Sequence, residues 1–323
     1  MKKFFKLSVC LLVLLIVALT VISPDVYLTS ALFGIRLWAI TVVPSLLPFF
    51  FFTALLSGLG LTKLIAKTVE KPFRAVFNTN GVIAYAFVMS ILSGYPVGAK
   101  IIADLRDNQL IDEVTATKAS CLCSTSGPLF IVGSVGFGMF KSKTAGYAIL
   151  ISHTLSAIFC GLIFRNYGKQ VADNSIAVLK SQSKSQNLLY DSVYSSVISV
   201  ACVGGFICIF SVIYDVAKNI GIFSPLSSLL FFIKSTELKN AFLYGLIECT
   251  RGCKSLATLG LSTYSLSFAS ALISFGGISV WAQSIIFLKN AGAKIKIFCL
   301  SKLIQSLIAF ALCFLICLIF KVN

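Results

Sequence analysis

The chain has 323 residues, 58% of them hydrophobic and only 12% charged. Soluble domains are nearer to about 45–50% apolar and about 25% charged, so the composition sets a soluble globular protein aside and predicts a polytopic membrane protein. The formal charge of +16 does not point to nucleic acid, because Lys and Arg gather in short links between apolar runs and no basic stripe interleaves with aromatics.

The opening "MKKFFKLSVCLLVLLIVALTVIS" has a long apolar run, and "PDVYLTS" after it is a poor cleavage site. Residues 1–29 therefore read as an uncleaved transmembrane helix, with Lys2, Lys3 and Lys6 placing its start in the cytoplasm. Full spans are predicted near 7–23, 32–60, 117–140, 144–165, 192–214, 260–287 and 297–320. The second carries Pro44 and Pro48 and is expected to kink or break. Segments 81–98 and 238–256 are apolar but interrupted, and 220–233 is short enough to be re-entrant or interfacial. The result is an all-α protein of about seven to nine helices.

Three basic links belong in the cytoplasm: Lys63, Lys67, Lys71 and Arg74; Arg165, Lys169, Lys180 and Lys184; Lys289, Lys294 and Lys296. That topology leaves the C-terminus outside and works only if 81–98 and 238–256 each enter and leave on one side. Some charge stays outside, at Lys141, Lys143, Lys218, Lys234 and Lys239.

Three blocks recur in order at an offset of about 150–158 residues. "GYPVGAK" (94–100) matches "ECTRGCK" (248–254), "STSGPLFIVGS" (124–134) matches "ISFGGISVWAQ" (273–283), and "ITVVPSLLPFF" (40–50) matches "ISVACVGGFIC" (198–208). With the topology above, the two members of each pair face opposite ways, as in the inverted repeats of secondary transporters. The expected units are 30–165, a cytoplasmic linker at 166–191, and 192–323.

Broken backbone survives in lipid only where protein buries it or water reaches it. "SILSGYPVGAK" (90–100) therefore reads as a helix–turn–helix tip inside the membrane: Pro96 disfavours helical geometry at Tyr95, and Gly94 and Gly98 allow unusual dihedrals and close approach. Gly127-Pro128 breaks another helix, and Ser124, Thr125 or Ser126 can cap the next. Half-helix N-termini carry partial positive charge and free N–H groups, so two such tips meeting at the midplane suit an anion. The expected substrate-binding residues are Ser93, Gly94, Tyr95, Pro96, Gly98 and Lys100; Ser124, Thr125, Ser126 and Gly127; Glu248, Thr250, Arg251 and Lys254; and Gly276, Gly277 and Gln283. Alternatives stay open: the lysines can snorkel to the interface, and Glu248 can pair with Arg251 on one helix face. Unpaired, Glu248 is a site for H⁺ or Na⁺ coupling.

No other chemistry stands out. Most of the eleven cysteines lie in apolar runs, no CxxC pair occurs, and the single histidine, His153, reads as an interior hydrogen-bonding residue. No metal, cofactor or nucleophile–base–acid set is expected. Asp104, Arg106, Asp107, Asp112 and Glu113 read as a solvated amphipathic segment, and Trp38 and Trp281 as packing or interface anchors.

"LSGYPVGAKIIADLRDNQLI" followed by "CSTSGPLFIVGSVGFGMF" resembles the sporulation integral membrane protein family, YlbJ-like, of the nucleoside-recognition (Gate) domain group. "YGLIECTRG", "SFGGISVWAQ" and "LSKLIQSL" resemble its later motifs, and the resemblance runs from about residue 30 to the end. Ser124 stands where the family often has Asn, and Trp281 where it often has His. The resemblance implies transport of dipicolinic acid from the mother cell across the outer forespore membrane. Gate domains also resemble halves of concentrative nucleoside transporters and the membrane part of ferrous-iron transporters. Expected partners are then a small anionic substrate, coupling H⁺ or Na⁺, and the bilayer, with a homodimer or other sporulation membrane proteins left open. A nucleoside carrier and a non-transporting sporulation scaffold are the alternatives.

Overall fold

A computed structural model describes residues 2–79, 81–168, 187–231 and 233–322, so most of the linker expected at 166–191, with Lys169, Lys180 and Lys184, lies outside the described residues. Helix α1 covers Lys2–Ile22. Pro24 then opens α2, Pro24–Leu37, at the one position where a missing N–H costs nothing. A π-helical turn, Trp38–Val42, leads into α3, Val43–Gly58. The break expected at Pro44 and Pro48 is not there: helix runs from Pro24 to Gly58. The disturbance sits just ahead of the prolines, where the Val43 N–H bonds five residues back to the Trp38 carbonyl. The wider turn makes room for the Pro44 ring, which would crowd the carbonyl four residues before it.

Helix α4 (Leu61–Phe77) packs Ala66, Phe73 and Phe77 inward. Helices α5 (Ile83–Ser93) and α6 (Val97–Asp107) pack back to back through the turn at 94–96. Helix α7 (Glu113–Leu122) is capped by Asp112, which accepts the Thr115 N–H at 2.8 Å. The chain is then irregular over 123–127 before a π-helix at Phe130–Met139. Helix α8, Lys143–Ile163, follows a Ser142 cap.

The second half runs α9 (Leu188–Asn219), α10 (Phe223–Leu229), α11 (Thr236–Ile247), α12 (Cys249–Thr258), α13 (Thr263–Phe275), α14 (Gly277–Asn290) and α15 (Ile295–Phe320). Both halves follow one order: long helix, short helix, hairpin, interrupted helix, long helix. The break expected at Gly127-Pro128 lies just ahead of the proline, over 123–127, so 117–140 is an interrupted helix; 260–287, expected as a full span, is Thr263–Asn290, with Gly276 (φ 87°) between α13 and α14. Segment 220–233 holds only the short α10.

Among the described residues, five helical segments are long and apolar enough to cross a membrane: Pro24–Gly58, Lys143–Ile163, Leu188–Asn219, Thr263–Asn290 and Ile295–Phe320. Large apolar side chains such as Ile40, Leu307 and Ile319 stand outward, as a lipid-facing surface requires. The protein is thus an all-helical polytopic membrane protein. Its cores mix the halves. One joins Leu46 and Phe50 of α3 with Ile131, Ile207 of α9, and Leu272 of α13. The other joins Ile83, Ile102 and Leu122 with Leu288 of α14 and Phe298 of α15.

Candidate functional site

Each hairpin tip docks on the helix break of its own half. Gly94 adopts φ 75° and ψ −166°, a region open essentially to glycine, and a Cβ there would lie 2.5 Å from the Gly127 nitrogen. A Cβ on Gly98 would lie 1.8 Å from the Cys123 carbonyl oxygen. In the second half, Gly277 (φ 74°) sits where a Cβ would be 3.0 Å from Gly245 O and 3.2 Å from Cys249 N. Small residues here bring backbone against backbone, so four interrupted chain segments converge.

Between them lies a cavity of about 60 Å³. Of the residues expected from sequence, Ser93, Gly94, Tyr95, Ser126, Gly127, Glu248, Thr250 and Gln283 line it. Pro96, Gly98, Ser124, Thr125, Gly276 and Gly277 do not; they form the frame behind it, Gly276 close to the Tyr95 ring. Sequence reasoning missed the apolar wall of Leu46, Phe50, Phe130, Val203 and Ile207, and also Cys249, Ser279 and Val280. The wall residues lie beside prolines and glycines in apolar segments, Leu46 between Pro44 and Pro48 and Val203 next to Gly204, but nothing in their own apolar chemistry marks them as lining a site.

The expected cations are not on the wall. Lys100 is exposed and Lys254 half-buried, and neither lines the cavity. Arg251 points elsewhere. Its guanidinium bonds Asp215 of α9 at 2.9 and 3.3 Å and the Ser211 carbonyl at 3.0 Å. It also lies over Tyr244 (4.6 Å), Phe33 (5.0 Å) and Tyr214 (5.3 Å). Ser30 of α2 donates to the same Asp215 carboxylate. Arg251 thus ties the second hairpin to α2 and α9, and its side chain is no partner of Glu248.

Glu248, 2% exposed, is the N-cap of α12. Its carboxylate accepts the Thr250 N–H at 3.1 Å and the Arg251 N–H at 2.6 Å. These are the very donors that sequence reasoning assigned to an anionic ligand. The protein's own carboxylate occupies that helix end, where partial positive charge favours it.

Two residues bind the halves across the site. His153 of α8 accepts the Ser126 N–H on Nε2 at 2.9 Å, so Nδ1 carries the proton and donates to Ser274 of α13 at 2.8 Å. Lys302 of α15, 0% exposed, reaches the Tyr95 hydroxyl (2.8 Å), the Ser124 carbonyl (2.7 Å) and Gln305 Oε1 (2.6 Å). Its signal in the sequence is the second lysine of a largely apolar 26-residue helix, two turns in, with Gln305 three residues on. An ionisable side chain in that setting is functional by default.

A family model described as Gate, nucleoside recognition, matches residues 39–169, which include the first hairpin, the first break and His153. Fold and match together define a helical membrane protein of the Gate class. The sporulation integral membrane protein YlbJ of Bacillus subtilis (strain 168) is 30% identical over 316 residues, covering 90% of this chain and 78% of that protein. The chain belongs to the YlbJ family. No solved structure matches it.

Proposed function

We propose that the protein is a secondary-type carrier for a small aromatic dicarboxylate, dipicolinic acid, moved from mother cell toward forespore across the outer forespore membrane during sporulation. The supporting observation is the convergence of two hairpin tips and two helix breaks on one cavity between like-ordered halves. Carriers built from inverted repeats place their substrate at such breaks. The two halves would face opposite ways and rock about the cavity. The first turn of α14, which no side chain caps and which brings Ser279 to the wall, and the Ser93, Ser126, Ser279 and Gln283 side chains, would hold carboxylates, with Tyr95, Phe50 and Phe130 against the ring. A cavity of about 60 Å³ takes only roughly four waters, so binding the acid requires the tips to part.

A nucleoside is the second reading. It is favoured by the wall itself, which carries no Lys or Arg, and by the nucleoside-recognition description of the matching model. Uptake of dipicolinate and of uridine into liposomes holding the pure protein separates the two. Dipicolinate uptake alone supports the carrier as proposed, uridine uptake alone transfers the site to nucleosides, and uptake of neither by inserted protein leaves a scaffold.

A further inference from the structure

Lys302 is the one fully buried lysine among the described residues, and no carboxylate of those residues forms an ion pair with it. Its three polar partners are neutral, and they come from both halves: Tyr95 from the first hairpin, Ser124 from the first break, Gln305 from α15 itself. Two of them, the Ser124 carbonyl and Gln305 Oε1, can only accept. The third, the Tyr95 hydroxyl, can accept or donate.

This arrangement satisfies two protonation states equally. As an ammonium, Lys302 has three N–H donors for three acceptors. As a neutral amine, it has two N–H donors for Ser124 and Gln305, and the Tyr95 O–H turns to donate into the nitrogen lone pair.

We propose that Lys302 is a proton-binding site that couples proton movement to substrate movement, with Tyr95 as the link to the cavity. Tyr95 lines the cavity on one side and bonds Lys302 on the other. When a proton from water joins the amine nitrogen, the Tyr95 O–H is released from the lone pair and an N–H of Lys302 donates to its oxygen instead. The freed hydroxyl hydrogen is then available to the Ile273 carbonyl, 3.5 Å away at the second break, or to a ligand oxygen in the cavity. The other titratable groups near Lys302 are Cys121 of α7, and His153 and Cys160 of α8; His153 is neutral, because its Nε2 accepts the Ser126 N–H while Nδ1 donates. None of them is a carboxylate paired with the amine, and the one buried acid on the cavity wall, Glu248, is held by the N–H groups of α12 rather than by Lys302.

The inference rests on the reading that the substrate is an anion. An anion beside Tyr95 favours the ammonium, and the ammonium favours the anion, by the same free energy. Proton and substrate therefore travel together, in symport, and the lysine charge missing from the wall arrives from behind it.

The test uses the full chain in lipid nanodiscs with ¹⁵Nζ-labelled lysine. One Nζ signal, absent from Lys302→Met and shifted in Tyr95→Phe, should change between charged and neutral across about pH 5–9, where an ordinary lysine stays charged. A Lys302 signal that keeps one form across that range overturns the inference. If Lys302→Met does not insert, Tyr95→Phe still assigns the signal. Dipicolinate is then added to weakly buffered wild-type protein. Binding should take up about one proton per molecule in the wild type and in Glu248→Gln alike; binding with no uptake, or uptake lost with Glu248→Gln, also overturns the inference. Absence of dipicolinate binding refutes the substrate reading instead, and the titration of Lys302 still decides the proton site.

Discussion

His153 joins two helix breaks through one ring. Replacing it with alanine leaves the Ser126 N–H and the Ser274 hydroxyl buried without partners. At about 1–3 kcal/mol for each such group, His153→Ala should lower stability by at least about 2 kcal/mol, read as a lower unfolding temperature in detergent; an unchanged midpoint would remove its role. Glu248 supports a different prediction. Glu248→Gln keeps a capping oxygen but removes negative charge from the wall, so dipicolinate should bind about tenfold more tightly, or about 1.4 kcal/mol, by equilibrium dialysis. Weaker binding would mean that the carboxylate contacts substrate through a bound cation. At this scale the sequence was partly legible. Gly94, Gly127 and Gly277 announced themselves because an interrupted helix needs residues that few others can replace. Lys100, Lys254 and Arg251 misled, since nearness to a tip along the chain does not set where a long side chain points. Lys302 stayed hidden because it interrupts nothing: it sits in regular helix and carries no punctuation.

Helices here meet through glycines, and that makes element-scale predictions sharp. A Cβ on Gly204 of α9 would lie 2.5 Å from the Trp38 indole, which is itself fixed by a 2.9 Å bond from its N–H to the Val200 carbonyl. Its neighbour Gly205 has open space. Gly204→Ala should therefore destabilise by about 1–3 kcal/mol, while Gly205→Ala should be neutral or gain up to about 1 kcal/mol from helix propensity. Equal effects of the two, in paired thermal unfolding curves, would show that α9 does not pack on the π turn as described. Gly98→Ala is harsher, because its Cβ would enter the Cys123 carbonyl, and uptake should vanish with it. Hairpins and breaks were readable from Gly and Pro spacing. The π-helical turn was not, because it depends on how Pro44 is accommodated within a continuous helix, and nothing in composition distinguishes a wider turn from a break.

The molecule as a whole is a pair of like-ordered halves closed around a small space. A carrier must open that space to each side in turn. Cys249 lines it and is buried. In a variant retaining only this cysteine, a small polar thiol reagent should label it slowly, and dipicolinate should slow labelling further. Labelling that is fast and indifferent to ligand would mean that the cavity stands open. The membrane class was plain from apolar runs alone, and the two halves share one order of elements. The closeness of the two halves was not, because it rests on contacts between α8, α13 and α15 that no local pattern encodes.

The capping of α12 by Glu248 has a further consequence for how tightly that helix end can hold an anion. An internal carboxylate already seated on the Thr250 and Arg251 N–H groups is a tethered competitor, present at an effective concentration of about millimolar or more. An incoming anion must displace it to use that helix end, so its affinity is capped and its release hastened. Under the carrier reading proposed above, such a site trades scavenging for throughput, which suits a solute made in abundance.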